Sequence, residues 1–251
     1  MINIVIPMAG RGSRLAAARH DKPKPLIEVI PGKSMIEFEI DYLSLPDDHQ
    51  FIFICLSEHV RDCDLEHVFR SKTKKHRIVM TDTVTSGPAS SVMLAEPWID
   101  NQDELLVAYC DDYLDLDIDH YLLYGRQEKV DGMIVTYPSA NPMSSYAVLG
   151  EDGRVLRVAE KEIISPLATA GLYYFRKGQE FVRSAKQMMR ENQTTHGEFF
   201  VSPVYNQLIR LGKTVFSYSI RTDQNMGVGN PDQLAKFRHW ASQHQVQPYS
   251  S

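Results

Sequence analysis

Hydrophobic positions along the chain alternate between two spacings. Short β-branched and aromatic runs at residues 4–6, 51–56, 77–81, 105–110 and 132–137 read as buried strands, because brief apolar runs between polar turns suit a strand covered on both faces. Between several of them, apolar residues recur at helical spacing over 34–45, 60–70 and 89–95, and later over 180–192 and 199–211. Ser34 is the expected N-cap of the first helix, whose apolar face is Met35, Ile36, Phe38, Ile40 and Leu43, and Pro46 stops it. This alternation predicts parallel βαβ units. Further on, runs at 146–149 and 155–159 are joined by Glu151-Asp152-Gly153-Arg154, a hairpin turn signal. An aromatic-rich strand at 168–175, a late strand at 215–218 and a helix opening with Pro231 complete the pattern. The fold class expected is α/β: a Rossmann-like mixed, mainly parallel sheet flanked by helices in three α/β/α layers. One domain over 1–245 and a loosely ordered tail at 246–251 are expected.

Composition narrows the classes of function. A hydrophobic content of 43% with 24% charged residues suits a globular chain, and a net charge of −5 gives no reason to expect nucleic acid or an anionic membrane as partner. Any anion-binding charge must therefore be local. The start carries no basic segment followed by an apolar stretch, and no apolar run approaches a membrane span, so a cytoplasmic location is expected. Three cysteines and nine histidines show no metal-ligand spacing, which argues against a dedicated zinc site.

Local charge is found directly after the first strand. There the chain reads Ala9-Gly10-Arg11-Gly12-Ser13-Arg14-Leu15 and, after a short interval, Pro23-Lys24-Pro25-Leu26. A glycine loop at the carboxyl end of a core strand offers backbone N–H groups to phosphate oxygens, and Arg14 and Lys24 add cations. The third glycine of a dinucleotide fingerprint is missing, as is the Gly-Lys-Ser/Thr ending of a P-loop. The two-part pattern instead resembles the signature of the sugar-phosphate nucleotidyltransferases, also called nucleotide-sugar pyrophosphorylases.

That resemblance extends over nearly the whole chain and implies a GT-A-like nucleotidyltransferase fold. It implies nucleotide binding by Ala9, Gly10, Arg11, Gly12 and Ser13, and by Gly87 and Ser90 in the loop Ser86-Gly87-Pro88-Ala89-Ser90-Ser91, although an ordinary helix entry also fits that loop. Leu106-Val107-Ala108-Tyr109-Cys110-Asp111 matches the strand that ends in a metal-binding aspartate, with Asp112 as the rival ligand. Val158-Ala159-Glu160-Lys161 matches the Glu-Lys step that holds the sugar phosphate, and Tyr146 and Gly171 join that site; a solvated charge pair at a strand end is the plainer alternative. Glutamate suits paired sugar hydroxyls because it accepts two hydrogen bonds, and lysine suits phosphate because it is a compact cation. Catalytic roles fall to Arg14, Lys24 and Lys161.

One departure stands out. Where the family places a second metal-binding aspartate, two residues before Gly229, this chain has Gly227. Asp223 could substitute if the loop bends, or Mg²⁺ or another divalent cation could rely on Asp111, triphosphate oxygens and water. The activity implied is transfer of a nucleoside monophosphate from an NTP to a sugar 1-phosphate or similar phosphorylated acceptor, with release of pyrophosphate. The alternatives are a cytidylyltransferase for a non-sugar phosphate such as phosphocholine, and a non-catalytic nucleotide-sugar-binding regulator; Gly227 keeps the second alive. Homo-oligomerisation is left open.

A sugar phosphate carries about 1.5 to 2 negative charges near neutral pH, so its oxygen needs no side-chain base to attack the α-phosphorus. Rate must then come from positioning and charge stabilisation. Arg14→Ala is accordingly expected to lower turnover far more than folding stability; unchanged pyrophosphate release by the purified, folded variant would remove Arg14 from the phosphate loop's chemistry.

Overall fold

The computed structural model describes residues 1–10 and 22–243. Arg11, Gly12, Ser13 and Arg14 lie outside the described residues, as does the 246–251 tail. The strands in chain order are β1 (Ile2–Pro7), β2 (Glu28–Ile30), β3 (Lys33–Ser34), β4 (His49–Leu56), β5 (His76–Thr81), β6 (Glu104–Ala108), β7 (Asp112–Leu114), β8 (Gly132–Pro138), β9 (Ser145–Leu149), β10 (Val155–Glu160), β11 (Leu167–Phe175), β12 (Val215–Ser219) and β13 (Asn225–Gly227). A nine-stranded mixed sheet forms the middle layer, with β7–β13 and β2–β3 as separate two-stranded pairs.

β1 lies between β4 and β6, and β4 lies beside β5, all parallel, as the buried runs and helical crossovers require. β11 then turns the pattern. One edge pairs with β8 along its length, while the other pairs with β6 through residues 172–175 and with β9 through 168 and 169, each time antiparallel. The sheet therefore forks at β11 into a β6-β1-β4-β5 branch and a β9-β10 branch. At the fork the β8 ladder is interrupted: Thr169 and Tyr173 of β11 face Thr136 and Ile134 of β8, so extra residues of β11 bulge out around Gly171.

Each face of the sheet carries its own apolar cluster. One face packs Ile2, Ile4, Ile6, Phe53 and Tyr174 against helices Met35–Tyr42, Leu65–Lys72, Ile118–Gln127 and Pro231–Gln243. The other packs Val5, Val107, Tyr173 and Phe175 against helices Pro88–Met93, Gly178–Arg190 and Val204–Arg210. This is the three-layer arrangement expected. No helix among the described residues is long and apolar enough to cross a membrane.

Local chemistry explains both agreements and corrections. Ser34 caps its helix as expected, in a full capping box with Glu37, although that helix ends at Tyr42. The helix expected over 60–70 is two helices, Ser57–Asp62 and Leu65–Lys72, broken by Asp64 in the left-handed region at φ 47°. The helix expected from 199 begins at Val204, because Pro203 disfavours helical angles at Ser202. The strand expected to reach Cys110 ends at Ala108, where a turn closes through Asp112 N–H to Tyr109 O at 3.3 Å. Ile118–Gln127, capped by Asp117, was not anticipated; its buried residues Tyr121, Leu122 and Gly125 are spaced among polar ones.

Gly178 opens the helix beneath the second face, and its N–H donates to Asp103 O at 2.8 Å. A Cβ there would run into the carbonyl of Ile99. Gly178→Ala is expected to cost about 2 kcal/mol or more, because overpacking against backbone cannot be relieved by a rotamer change; an unchanged urea midpoint would contradict this packing.

Candidate active site

Parallel pairing brings β1 and β6 out at the same end of the sheet, so residues 8–10 and 109–112 emerge together. Antiparallel β11 begins at that end, which adds Thr169 and Gly171. Ala9 is buried, and Gly10 is exposed with a φ outside the left-handed region. Among the described residues, no atom beyond its chain neighbours lies within 4 Å of where its Cβ would stand, so packing against those residues does not require glycine here.

The two aspartates after β6 point to different tasks. Asp111 Oδ2 pairs with Lys24 Nζ, both partly buried. Lys24 is held by a single 3₁₀ turn between Pro23 and Pro25, with Pro25 buried and Leu26 N–H donating to Pro23 O at 2.9 Å. Asp112 Oδ2 accepts the Gly171 N–H at 2.5 Å, clamping β7 to the fork of the sheet. Burial, reinforced by Asp111, pushes the Asp112 carboxyl up from 3.8 to about 7, against the opposing influence of the Gly171 N–H and Lys24. Glu39, from helix Met35–Tyr42, faces the same pair and is 3% exposed; burial, then Asp112 and Asp111, raise its pKa well above the usual value. Three carboxylates thus lie close together, and Lys24 is paired with one of them, Asp111.

Chain from the last part of the molecule closes this side. β13 pairs antiparallel with β7, placing Gly227 opposite Asp112, and Val228 N–H donates to Asp111 O at 2.8 Å. A Cβ on Gly229 would stand 2.7 Å from Asp111 Oδ2, and one on Gly227 would stand 2.9 Å from Gln233 Nε2. A neutral amide therefore fills the space beside the position where a carboxylate was expected. Asp223 is 72% exposed on a turn stabilised by Arg221 N–H to Gln224 Oε1, and among the described residues its ion pair is with Arg221. The loop does not bend Asp223 to Asp111. Among the described residues, no three His, Cys, Asp or Glu side chains gather around one metal position.

Across the fork, Glu160 ends β10. Its Oε2 accepts Ser145 Oγ–H and lies 3.0 Å from Ser202 Oγ. Burial raises its carboxyl pKa, while the serine hydrogen bonds and Lys161 oppose the rise. Lys161 adopts φ 55°, unusual for a residue with a side chain, and its N–H donates to Ser144 O at 3.1 Å. Tyr146 is fully buried and donates its hydroxyl to Asn141 O at 2.9 Å, so it pins the 141–146 loop. Gly171 has no room for a side chain: a Cβ would meet Asp112 Oδ2 at 2.9 Å and the Tyr109 ring at 3.0 Å. Gly87 adopts φ 118°, and Ser90 Oγ lies 3.2 Å from Ser86 Oγ.

Sequence reasoning missed Glu39, Tyr109, Ser145, Phe200 and Ser202. Glu39 had a visible signal, a carboxylate on the apolar stripe of Met35, Ile36, Ile40 and Leu43. The others had none, because they come together only through strand pairing and loop packing. Tyr109 packs edge to face on Tyr173 at 5.5 Å, and burial, then Glu160, raise its hydroxyl pKa.

A strand leading to Gly10, a carboxylate–lysine cluster and a half-buried glutamate followed by a lysine, arranged around the carboxyl edge of an α/β sheet, point to a class. The sequence pattern of the nucleotidyl transferase family matches residues 4–238, and the chain belongs to that family. A curated relative from Sulfolobus acidocaldarius, named "Putative mannose-1-phosphate guanyltransferase", is 27% identical over 180 residues; the match covers 70% of this chain and 49% of the relative, so the chain spans about half of that relative's length. The crystal structure of the nucleoside-diphosphate-sugar pyrophosphorylase from Vibrio cholerae RC9 superposes with a TM-score of 0.76 at 25% identity, over 94% of this chain and 99% of that one. A structure named "Putative Glucose-1-Phosphate Thymidylyltransferase" from Bacillus anthracis, in complex with a sucrose, shares the fold at TM-score 0.79 and 18% identity, over 100% of this chain and 98% of that one.

A carboxyl that titrates near 7 when folded, against about 3.9 when unfolded, binds its proton more tightly in the folded state. Its contribution to stability is present at low pH and is lost as pH rises from about 4 through about 7. Asp112→Asn keeps an acceptor for the Gly171 N–H and carries no charge, so it should flatten this decline, which is at most about 1.4 kcal/mol per pH unit. Urea midpoints of both proteins between pH 5 and 8 in chelator would check it, and equal slopes would contradict it.

Proposed function

We propose that this protein transfers a nucleoside monophosphate from an NTP to a sugar 1-phosphate, releasing pyrophosphate. The observation that carries the reading is that the Lys24–Asp111 pair and the Glu160–Lys161 pair flank one fork of the sheet, separated by Gly171, where Asp112 and Tyr109 pack too closely for any side chain. The sugar phosphates in the names of the relatives favour a sugar acceptor over phosphocholine.

In this reading the sugar phosphate is already a dianion, and the protein supplies position and charge. Lys161 makes no ion pair with a described carboxylate, so its full charge is available to the acceptor phosphate. Glu160 Oε1 accepts no hydrogen bond from a described residue and is free for a sugar hydroxyl, while both serines act on Oε2. Lys24 exchanges Asp111 for the triphosphate, stabilising charge as the bond from the α-phosphorus to pyrophosphate breaks and the bond to the acceptor oxygen forms.

Mg²⁺ or another divalent cation fits the donor set. Asp111 offers a hard oxygen, and the glycine at 229, where a Cβ would stand 2.7 Å from Asp111 Oδ2, keeps a side chain off that oxygen. Asp112 is committed to Gly171 N–H through Oδ2, leaving Asp111 as the protein ligand best suited to hold the ion, together with substrate oxygens and water. When bound, the ion would neutralise triphosphate charge.

Pyrophosphate release from a matrix of four NTPs against glucose 1-phosphate, mannose 1-phosphate and phosphocholine, with Mg²⁺, tests the reading. Turnover with a sugar 1-phosphate is expected, and silence throughout would overturn it. With the best pair, Lys24→Met should lower kcat about a hundredfold or more, the scale seen when one charge-stabilising donor is removed.

A further inference from the structure

We propose that residues 199–202 form a strap in which Phe200 positions Lys161 and Ser202 positions Glu160, while Phe199 locks the strap to the loop carrying Gly87. The proposal rests on the acceptor site assigned above.

Each residue of the strap has a directed contact. Phe199 N–H donates to Ser86 O at 2.7 Å, and Phe199 O accepts from Ala89 N–H at 2.9 Å. These two bonds bracket Gly87, where a Cβ would lie 2.6 Å from both the N and the O of Phe199. The glycine is therefore demanded by the strap as well as by its φ of 118°. Phe200 presents its ring to Lys161 Nζ at 4.5 Å from the centroid. Ser202 is fully buried and places Oγ 3.0 Å from Glu160 Oε2 and 3.1 Å from Ser145 Oγ.

Both ends of the strap are tied down. Before it, Thr195 and Glu198 exchange backbone hydrogen bonds at 3.0 Å in each direction. After it, Asn206 Oδ1 accepts Val158 N–H and Asn206 Nδ2 donates to Val158 O, both at 2.8 Å, so the helix that follows is fastened to β10 two residues before Glu160. The floor beneath is also prepared. Strand pairing aligns Ser219, Thr136, Thr169, Ser145 and Glu160 in one row across β12, β8, β11, β9 and β10. Ser202 reaches the Glu160 end of this row from above.

The choice of groups matters chemically. An aromatic face holds an ammonium in place without neutralising it, whereas a carboxylate partner would compete with an incoming phosphate. Two hydroxyls on Oε2 orient the carboxylate and favour its ionised form while Oε1 stays open. Both devices keep binding groups fixed and unspent, which is the requirement for recognising a phosphorylated polyol.

Kinetics of variants separate positioning from bulk stability. Phe200→Leu is expected to raise the KM for the sugar 1-phosphate about three- to fivefold while the NTP KM stays within twofold, and Phe200→Tyr should restore the wild-type value. Ser202→Ala should lower kcat/KM for the acceptor about tenfold and move its acidic limb to higher pH, because Glu160 loses a bond that favours ionisation; Ser202→Thr should recover both. Equal changes in both KM values, or no rescue by the conservative variants, would overturn the strap. The wild type serves as the separate control for the function itself: if it turns over no sugar 1-phosphate, titration with inorganic phosphate replaces kinetics. Phosphate binding weakened by Phe200→Leu then upholds the strap although the function fails, whereas undetectable binding by the wild type, or unchanged binding by the variant, overturns it.

Discussion

β11 has to serve three neighbours with two edges. β8 pairs with one edge on both sides of the bulge, so β6 and β9 must share the other, and between residues 169 and 172 neither of them pairs with it. A strand interrupted in this way has backbone groups to satisfy, and the chain satisfies them with outside partners: Asp112 Oδ2 takes the Gly171 N–H, and Gly171 O takes the Tyr109 N–H at 2.9 Å. The fork thus positions the acidic turn after β6, excludes a side chain at residue 171, and directs the β9-β10 branch so that Glu160 lies across from Asp111. Remove the fork, and the two halves of the candidate site would belong to different parts of a continuous sheet.

Charge is distributed unequally between the two branches. On the β6 side, Asp111, Asp112 and Glu39 lie near one another, and burial, reinforced by their mutual repulsion, raises the carboxyl pKa values of Asp112 and Glu39. Such a cluster attracts cations and gives Lys24 a resting partner. On the β10 side the balance is reversed. Lys161 lies against an aromatic ring and Glu160 against hydroxyls, and neither forms an ion pair among the described residues. In the proposed reaction, the first arrangement suits a metal-bearing triphosphate and the second a polyhydroxylated phosphate.

Legibility followed the range of the interactions. The buried strands, the Ser34 cap, the Asp152-Gly153 hairpin and the Pro231 helix start were readable because each depends on neighbouring residues. Glu160, Lys161, Gly171 and Lys24 are singled out in the sequence by their motifs, and Asp111 by its place after an apolar strand. Helix 199–211 was misjudged because its apolar spacing continues through Phe199 and Phe200, which pack on a distant loop and a distant lysine. Asp223 was a reasonable stand-in by sequence distance, but its turn closes on Arg221 and Gln224.

By itself, then, the sequence determined the layering, the strand-to-loop transition at Gly10, and the identity of the charged groups, since hydrophobic periodicity and residue chemistry are local properties. Only the tertiary structure decided which carboxylate pairs with Lys24, why Gly87 and Gly171 admit no side chain, and that Gln233 stands beside Gly227. Those outcomes depend on the closing distances between β7, β11, β13 and the 199–202 segment, which strand register sets and no local pattern encodes.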